Sequence, residues 1–576
     1  MENTTKKVAR MLASMLMRHG VSEAVVSPGS RNAPLIVALE RCQGIATHVV
    51  IDERSAAFIA LGMSLASASS PVALVCTSGT APLNYAPAIA EAYYRNAPLI
   101  VVTADRPAEW IDQDDSQTIR QPGIYGNFIK GTFDLPVESD DPDRMWMINR
   151  TINDALILAT EGLPGPVHIN VRLADPLGQT EEIDDIDPWG EGSRKISSVS
   201  SLLAPLSEEK VEALGQRLSP SSRVLVLAGF MSPANLDGAL RELSRRPNFI
   251  VMHEAQSNLH GFGDFISNID ATLTQVPDLG DPMLRPDIVI TLGGSLTSRM
   301  VKAWLRGLPD IEHWSIGEHD HSVDCFRRLA CRIPYNPSVV VPELTRHIPK
   351  RNNSESTSFK SAWLSYRDKA REAIEKYSSE IPWSDFKAMS IAIPRIPRGW
   401  NLQLSNGTAV RYAQLFDYRT AARIDCNRGV SGIDGCTSTA IGAACMSQNP
   451  TLLITGDMSM QYDMGALACN FIPDNFKIIV LNNGGGGIFR YIRSTRGLDE
   501  LERYFVADVN LPLKKLASAF GFKYLLAENA EQLDQAWKKL VSANSAPTIL
   551  EIKTDGRLSA EILTSFLERN KKEKQL

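Results

Sequence analysis

Short apolar runs alternate with helix-like patterns in the N-terminal part of the chain, after an amphipathic segment at residues 4–19 that predicts a first helix. Short apolar runs bounded by turn residues and followed by helices are typical of the buried strands of a parallel sheet. These runs occupy residues 24–26, 48–51, 72–76, 99–103 and 166–171. The pattern predicts an α/β domain whose functional loops follow the carboxyl ends of its strands.

The same alternation begins again near residue 223 and near residue 400. An acidic, then serine-rich stretch at 174–205 and a polar, helix-like stretch at 351–380 separate the three sets. A chain of 576 residues is too long for one hydrophobic core. We therefore predict an α/β protein with three doubly wound parallel-sheet domains, at residues 1–180, 205–350 and 380–576.

Composition excludes several classes of protein. A net charge of −6 argues against a nucleic-acid-binding surface, and no stretch is apolar for long enough to predict membrane insertion. The eight cysteines lie mostly inside apolar runs, which indicates reduced thiols and a cytoplasmic location. One group, His319, His321, Cys325 and Cys331, lacks the paired spacing of a zinc site, so a solvated loop is the preferred interpretation. The lysine-rich segment 571–574 is interpreted as a solvated end.

Two polar residues stand at consecutive predicted strand ends in the stretch 456–489. Asp457 follows an apolar run, a helical pattern extends from Met464 to Phe471, and Asn483 follows the next run, just before four glycines. A carboxylate and an amide oxygen beside a glycine-rich turn suit Mg²⁺ shared with a phosphate. Either residue alone is more simply a helix cap, but the paired placement favours a metal site.

Loops after the predicted N-terminal strands also carry candidate chemistry. Ser30 and Arg31 lie in a small-residue loop before a helix, which is able to bind an anion. Glu53 follows the run 48–51 and is either a functional carboxylate or a helix-start residue favoured by the dipole. Residues 112–128 have weak periodicity and are interpreted as an ordered functional loop.

Taken together, the motifs SPGSRNAP, DER, TSGTA, TADRP, SQTIRQPG, NRGVSGIDG and the Asp457 stretch resemble the thiamine-diphosphate enzymes over nearly the full length. The signature of that family runs from GDG to NN, and Met458 stands at its third glycine. The resemblance implies thiamine diphosphate as cofactor and Mg²⁺, or Mn²⁺, held by Asp457, Asn483 and the carbonyl of Gly485.

The same resemblance assigns roles to other positions. Glu53 matches the glutamate that hydrogen-bonds the aminopyrimidine ring and promotes loss of the thiazolium proton, and Gln117 matches a glutamine that polarises the intermediate. Ile433 takes the place of the bulky residue that bends the cofactor. The implied cofactor-binding set is Glu53, Thr80, Gly407, Thr408, Ser431, Ile433, Met458 and Ser459.

Within the family, the motifs resemble a branch of transferases in menaquinone biosynthesis. These enzymes decarboxylate 2-oxoglutarate and add the resulting succinyl carbanion equivalent to isochorismate. Both substrates are dianions, which agrees with several arginines on the predicted loops. The implied substrate-binding residues are Ser30, Arg31, Arg106, Arg299, Arg411, Arg428, Phe489 and Ile492. The family often has lysine at the position of Arg299 and serine at that of Gly407.

Other interpretations stay open at this point. The chain could be another thiamine-dependent 2-oxoacid decarboxylase or carboligase, or an inactive relative that only binds. A nicotinamide dehydrogenase is disfavoured because no strand is followed by the glycine fingerprint. In the resembling family, Glu53 of one subunit would meet Asp457 and Asn483 of another across a two-fold interface. The resemblance therefore implies a homodimer or a dimer of dimers.

Overall fold

The structure is a computed structural model that describes residues 2–183, 193–198, 206–218, 222–259, 263–349, 357–416, 418, 420–542 and 546–569. Much of the predicted linker at 174–205, the start of the predicted stretch at 351–380 and the segment 571–574 lie outside the described residues. The described residues form three six-stranded sheets and one two-stranded sheet. The three larger sheets are parallel, which confirms the predicted α/β class.

The first sheet has the strand order β3-β2-β4-β5-β7-β6. In chain order, the elements of this part are β1 (Glu2–Thr4), α1 (Lys7–Arg18), β2 (Glu23–Val26), α2 (Ala33–Glu40), β3 (Ala46–Val49), α3 (Glu53–Ala66), β4 (Val72–Cys76), α4 (Ala81–Asn84), α5 (Ala86–Tyr94), β5 (Leu99–Asp105), β6 (Thr132–Leu135), α6 (Pro142–Thr160), β7 (Val167–Arg172) and β8 (Thr180–Glu182). The central strands β4 and β5 are buried along their whole length, as expected for a parallel sheet covered on both faces.

The second sheet has the order β11-β10-β9-β12-β13-β14. Its elements are α7 (Glu208–Arg217), β9 (Val224–Ala228), α8 (Asp237–Ser244), β10 (Phe249–His253), β11 (Phe265–Ile266), α9 (Ile269–Gln275), β12 (Ile288–Leu292), α10 (Arg299–Gly307), β13 (Glu312–Ile316), β14 (Leu329–Ile333) and α11 (Pro337–His347). Two apolar clusters cover the two faces of this sheet, because alternate residues of each strand point to opposite sides.

The third sheet has the order β16-β15-β17-β18-β20-β19. Its elements are α12 (Thr357–Glu380), α13 (Asp385–Ala392), β15 (Asn401–Leu404), α14 (Ala409–Ala413), β16 (Arg423–Cys426), α15 (Cys436–Cys445), β17 (Thr451–Gly456), α16 (Asp457–Tyr462), β18 (Phe476–Asn482), α17 (Leu513–Ala519), β19 (Lys523–Ala527), α18 (Ala530–Ser542), β20 (Thr548–Lys553) and α19 (Gly556–Leu567). None of the described helices is both long and apolar enough to cross a bilayer.

Two predicted helices have different bounds in the structure. The first begins at Lys7 rather than near residue 4, because Glu2–Thr4 pairs with Thr180–Glu182 as an antiparallel strand. The helix predicted from Met464 begins instead at Asp457 and ends at Tyr462, and Met464–Ala468 forms a 3₁₀ turn.

By the contacts between its residues, the chain divides into two compact units. One contains Met1–Ala204, Asn427–Thr451 and Ser459–Phe476, and the other contains Pro205–Cys426, Leu452–Met458 and Lys477–Leu576. The three domain ranges expected from the sequence stay a prediction.

Within the first unit, α3 and α15 cross at two glycines. A Cβ atom at Gly62 would collide with the carbonyl oxygen of Thr439, and one at Gly442 would collide with the carbonyl oxygen of Ile59. The two backbones are therefore in direct contact, and both helices are buried along nearly their whole length. This close packing leaves no room for a side chain at either glycine.

This crossing generates a stability prediction. We expect Gly442→Ala to destabilise the protein by about 1–3 kcal/mol or more, because the added methyl group meets backbone that cannot rotate away. The matched control is Gly238→Ala in α8, where a Cβ meets no atom and alanine favours the helix by up to about 1 kcal/mol. Urea unfolding midpoints measure both effects. Equal midpoints for the two variants would contradict the predicted crossing constraint.

Candidate active site

The carboxylate of Asp457 organises the turn after β18. Strands β17 and β18 are neighbours in a parallel sheet, so their carboxyl ends lie side by side. Asp457 Oδ2 accepts hydrogen bonds from the backbone N–H groups of Asn483 (3.1 Å), Gly484 (2.8 Å) and Gly485 (2.9 Å). Its Oδ1 accepts from the N–H of Met458 at 2.7 Å. The structure thus brings Asp457 and Asn483 together at the predicted sheet edge.

Burial decides the acidity of this carboxyl group. It raises the pKa of Asp457 to about 6, although the N–H groups of Gly485, Met458 and Gly484 act in the opposite direction. The four N–H donors are all neutral, so they leave the carboxylate without a compensating full charge. A divalent cation would supply that charge.

The side-chain amide of Asn483 has one satisfied and one unsatisfied end. Its Nδ2 donates to Asp385 Oδ2 at 2.6 Å, whereas its buried Oδ1 has no hydrogen-bond partner among the described residues. A buried oxygen without a partner costs about 1–3 kcal/mol of folding free energy. A metal ion bound at this oxygen would remove that cost.

Gly485 contributes a backbone carbonyl in a conformation that requires glycine. Its φ is +129°, and a Cβ would collide with the carbonyl oxygen of Val506. The carbonyl oxygen accepts from the N–H of Gly487 at 2.8 Å, which leaves one lone pair. A carboxylate, an amide oxygen and a carbonyl are hard oxygen donors, so the residues present fit Mg²⁺ or Mn²⁺.

The histidine and cysteine group noted in the sequence has other contacts. His321 Nδ1 lies 2.6 Å from Asp320 Oδ1, and His319 Nε2 lies 3.2 Å from the carbonyl oxygen of Gly293. The part of the chain that the structure describes contains no group of three or more His, Cys, Asp or Glu residues able to hold a metal ion.

Two predicted substrate-binding arginines of the second unit lie near Tyr491. Burial raises the pKa of the Tyr491 hydroxyl, and the nearby Arg411 and Arg299 guanidiniums partly offset this rise. The buried hydroxyl has no hydrogen-bond partner among the described residues. Arg299 is exposed at the first turn of α10, and Arg411 is half-buried and donates to the carbonyl oxygen of Gly407 at 2.5 Å.

Tyr491 lies between the two predicted apolar pocket residues in the sequence. Phe489 and Ile492 are both half-buried, and Phe489 packs against Phe505 with ring centroids 5.6 Å apart. Thr495 Oγ1 donates to the carbonyl oxygen of Phe489 at 2.6 Å and fixes this short turn.

The positions of Gly407, Thr408 and Met458 bear on the departures from the family pattern. Gly407 has φ +95°, which L-residues rarely adopt, so a serine there would need a different backbone. Thr408 precedes α14 and, like Met458, is half-buried.

In the first unit, Glu53 is the first residue of α3 and is half-buried. Its Oε2 accepts from Asn84 Nδ2 at 3.3 Å, and the preceding Asp52 caps the helix through the N–H of Arg54. Glu53 therefore does not serve as the cap itself, and its carboxylate stays available. Thr80, at the start of α4, is exposed.

Arg106 and Gln117 both contact Ser78, in the turn after β4. Arg106 Nη1 lies 3.4 Å from Ser78 Oγ, and its Nε donates to Asp115. Gln117 Nε2 donates to the carbonyl oxygen of Ser78 at 3.0 Å, from a residue with φ +31°. The structure thus brings these two predicted residues together.

The other two predicted substrate-binding arginines of this unit, Arg31 and Arg428, are not fully exposed to solvent. Arg31 is buried, and its Nη1 donates to the carbonyl oxygen of Leu173 (3.0 Å) and lies 3.4 Å from Asp175, while Ser30 is exposed. Arg428 is half-buried. Their substrate-binding roles stay a prediction.

The loop after β16 carries three predicted residues, and Glu91 of α5 holds it. Glu91 accepts from the N–H groups of Gly429 (2.7 Å) and Val430 (2.6 Å). Ser431, next along, is exposed with φ +72°. The carbonyl oxygen of Ile433 accepts from Ser459 Oγ at 2.7 Å, and Ser459 is buried.

Sequence reasoning missed several residues that hold these loops. Asp385 contacts Asn483, and Glu254 accepts from the N–H groups of Thr297 and Ser298 just before Arg299. Gln121 is fully buried and accepts from the N–H of Gly79 at 3.1 Å. Of these residues, only Glu254 could have been recognised from the sequence, because it is an acidic residue directly after a buried strand.

Comparison with known proteins identifies two matching family models. Residues 6–124 match the model described as "Thiamine pyrophosphate enzyme, N-terminal TPP binding domain". Residues 406–552 match "Thiamine pyrophosphate enzyme, C-terminal TPP binding domain".

The chain is also similar to individual proteins over nearly its whole length. It is 38% identical to the 2-succinyl-5-enolpyruvyl-6-hydroxy-3-cyclohexene-1-carboxylate synthase of Porphyromonas gingivalis, over 97% of this chain and 96% of that protein. It is 37% identical to the synthase of the same name from Cytophaga hutchinsonii, over 96% and 97%. The equivalent protein of Flavobacterium psychrophilum is 38% identical, over 97% and 98%.

Proposed function

Because the chain belongs to the family of thiamine-diphosphate-dependent 2-succinyl-5-enolpyruvyl-6-hydroxy-3-cyclohexene-1-carboxylate synthases, we propose that it decarboxylates 2-oxoglutarate and transfers the succinyl unit to isochorismate. The product is the compound named in its relatives, an intermediate of menaquinone biosynthesis. The observation that carries the proposal is the buried Asn483 Oδ1, which has no hydrogen-bond partner among the described residues, in a residue whose backbone N–H donates to the Asp457 carboxylate. We take these oxygen atoms as ligands of a metal ion that in turn binds the diphosphate of the cofactor.

The metal residues have separate tasks in this proposal. Asp457, Asn483 and the carbonyl of Gly485 would hold Mg²⁺ or Mn²⁺, which would anchor the diphosphate of the cofactor. When bound, thiamine diphosphate supplies a nucleophilic carbon and an electron sink for decarboxylation. The protein would position the cofactor and the substrate and exclude water from them. Met458 is half-buried and follows the proposed metal ligand Asp457 in the chain. The other proposed cofactor contacts are Thr80, Gly407, Thr408, Ser431, Ile433 and Ser459.

Glu53 is proposed to move a proton at the pyrimidine ring. The residue is half-buried, and within the described part of the chain its carboxylate accepts a hydrogen bond from the neutral amide of Asn84. A carboxylic acid in this setting can share a proton with a ring nitrogen, which is the contribution of a general acid–base residue. Gln117, next to Arg106, would polarise a carboxylate or carbonyl oxygen of the substrate.

Each proposed substrate carries two carboxylates, which agrees with the several arginines among the predicted site residues. Arg299 and Arg411 both act on the Tyr491 hydroxyl through their charge, and a guanidinium can pair with a carboxylate through two hydrogen bonds. Arg106 at Ser78 offers a third. We propose that these residues, with Ser30, Arg31 and Arg428, bind the substrate carboxylates, and that Phe489 and Ile492 contact the carbon skeleton.

We also propose that the protein acts in the cytoplasm. All eight cysteines are free thiols, which agrees with a reducing compartment.

Several exposed apolar side chains of the first unit agree with assembly. Ile51, two residues before Glu53, is 82% exposed, and Leu83, next to Asn84, is 48% exposed. Further exposed apolar residues of this unit are Val49, Tyr94, Trp110, Phe128, Trp146, Val430, Tyr462 and Met464. Association would remove such side chains from water, which is favourable. We propose a homodimer, or a dimer of dimers, that covers the surface around Glu53.

The substrate assignment is tested by mixing the protein with Mg²⁺, thiamine diphosphate and 2-oxoglutarate. We expect release of CO₂ that accelerates when isochorismate is added, because the acceptor removes the succinyl unit. Pyruvate in place of 2-oxoglutarate is the control, and it lacks the second carboxylate. Faster turnover of pyruvate would favour another 2-oxoacid decarboxylase. Cofactor binding without turnover of either acid would indicate an inactive relative.

The role of Glu53 is tested by Glu53→Gln, which keeps the shape and removes the acid. We expect thiamine diphosphate to bind with nearly unchanged affinity and the thiazolium proton to exchange with D₂O about 10²–10⁴-fold more slowly. Proton exchange is followed by quenched-flow NMR. Exchange at the wild-type rate would leave Glu53 as a helix-start residue only.

The proposed assembly is tested with two inactive variants. A C₂ dimer whose sites each take Glu53 from one subunit and Asp457 from the other has some hybrid sites without either change. We therefore expect mixed Glu53→Gln and Asp457→Ala proteins to recover part of the activity after subunit exchange. Each variant mixed with itself is the control. Exchange shown by mass spectrometry, without any return of activity, would mean that each site is built within one chain.

A further inference from the structure

Asp385, which the sequence did not single out, is a buried carboxylate at the start of α13. Its Oδ2 accepts from Asn483 Nδ2 at 2.6 Å, and its Oδ1 accepts from Thr554 Oγ1 at 2.5 Å. Its own backbone N–H donates to Ser559 Oγ at 3.0 Å. Among the described residues, no cation pairs with it at ion-pair distance, so the charge is compensated by hydrogen bonds alone.

The chemistry of an amide explains what this contact decides. The oxygen and the NH₂ group of an asparagine side chain have nearly the same shape, and a rotation of 180° exchanges them. Only the oxygen can bind a metal ion, because the NH₂ group has no lone pair to offer. A side chain that binds metal must therefore be held in one of two otherwise similar orientations.

We propose that Asp385 is a positioning residue that orients the amide of Asn483 for the metal ion. An ionised carboxylate only accepts hydrogen bonds, so it selects the NH₂ end of Asn483 and leaves Oδ1 for the metal. Oδ1 has no partner among the described residues, and Asp385 is the contact that fixes the amide. This inference rests on the proposed function to the extent that Asn483 is a metal ligand.

Asp385 is itself held from two sides. Thr554, which follows strand β20, donates to the carboxylate, whereas Ser559 of α19 accepts from the backbone N–H of Asp385. Burial raises the pKa of Asp385, while the hydrogen bonds from Thr554 and Asn483 oppose the rise. The carboxylate also adds negative charge directly behind a metal ligand, which strengthens the attraction for a divalent cation.

The test compares Asp385→Asn with Ser559→Ala. An asparagine at 385 keeps the shape but offers an NH₂ group, which can pair with Asn483 Oδ1 and stabilise the wrong orientation. Ser559→Ala is the matched control, because it removes a contact to the backbone of Asp385 and leaves the pair with Asn483 intact. The probe is Mn²⁺, titrated by electron paramagnetic resonance into protein saturated with thiamine diphosphate.

We expect Mn²⁺ to bind about 10–100-fold more weakly to Asp385→Asn, as is typical when the outer partner of a metal ligand is changed. Ser559→Ala should stay within about 3-fold of the wild type. In an Asn483→Ala background, Asp385→Asn should cause no further loss, because its effect acts through the missing amide. Urea unfolding without metal shows whether each variant is folded.

Several results would overturn the inference. These are unchanged Mn²⁺ affinity in folded Asp385→Asn, an equal loss in Ser559→Ala, or full additivity with Asn483→Ala. Should Asp385→Asn not fold, Thr554→Val frees one oxygen of Asp385, and a loss of affinity of about 3-fold or more is expected, whereas unchanged affinity overturns the proposal. A wild-type protein that binds no Mn²⁺ would instead contradict the proposed metal site itself.

Discussion

The turn after β18 depends on one buried carboxylate. Asp457 accepts three consecutive backbone N–H groups, from Asn483 to Gly485, and these bonds fix a segment that has no regular secondary structure of its own. Because Gly485 adopts φ +129° against Val506, the segment cannot be replaced by ordinary residues without loss of the same bonds. The carboxylate thus has two tasks, to shape the loop and to carry the charge that a metal ion requires. The two tasks are linked, since Asp457→Ala would remove the charge and the acceptor of the loop together.

Strand ends were the part of this site that sequence reasoning could locate. The position of Asp457 and Asn483 follows from two apolar runs and the rule that parallel strands end at the same sheet edge. The alternation of runs and helices likewise predicts the three parallel sheets. Local sequence patterns predicted the bounds of an element less well where its residues pair with a segment far away in the chain. The first helix begins late because residues 2–4 pair with residues 180–182, a partner that no window of the sequence contains.

The supporting residues were missed for the same physical reason. Asp385 and Asn483 are separated by 98 positions, and an aspartate directly after a serine cap is already explained by the helix dipole. Gln121 looks like any polar loop residue until its bond to Gly79 is seen. A sequence pattern reports local preference, whereas these side chains are selected by contacts made only in the folded chain. The residues that touch a ligand can therefore be inferred earlier than the residues that hold them in place.

The arginines show how contacts within each unit prepare a site for anions. Arg106 contacts Asp115 and Ser78, and Arg411 contacts the carbonyl oxygen of Gly407. A long cationic side chain loses about 0.5–1.5 kcal/mol of conformational entropy when a ligand immobilises it. Where internal acceptors already restrict the side chain, part of that cost is met during folding and not during binding. Each guanidinium has five N–H groups, so these contacts leave donors that a carboxylate can use. Binding of dianions then draws on charge that is already oriented, which is the physical basis for the substrate class proposed above.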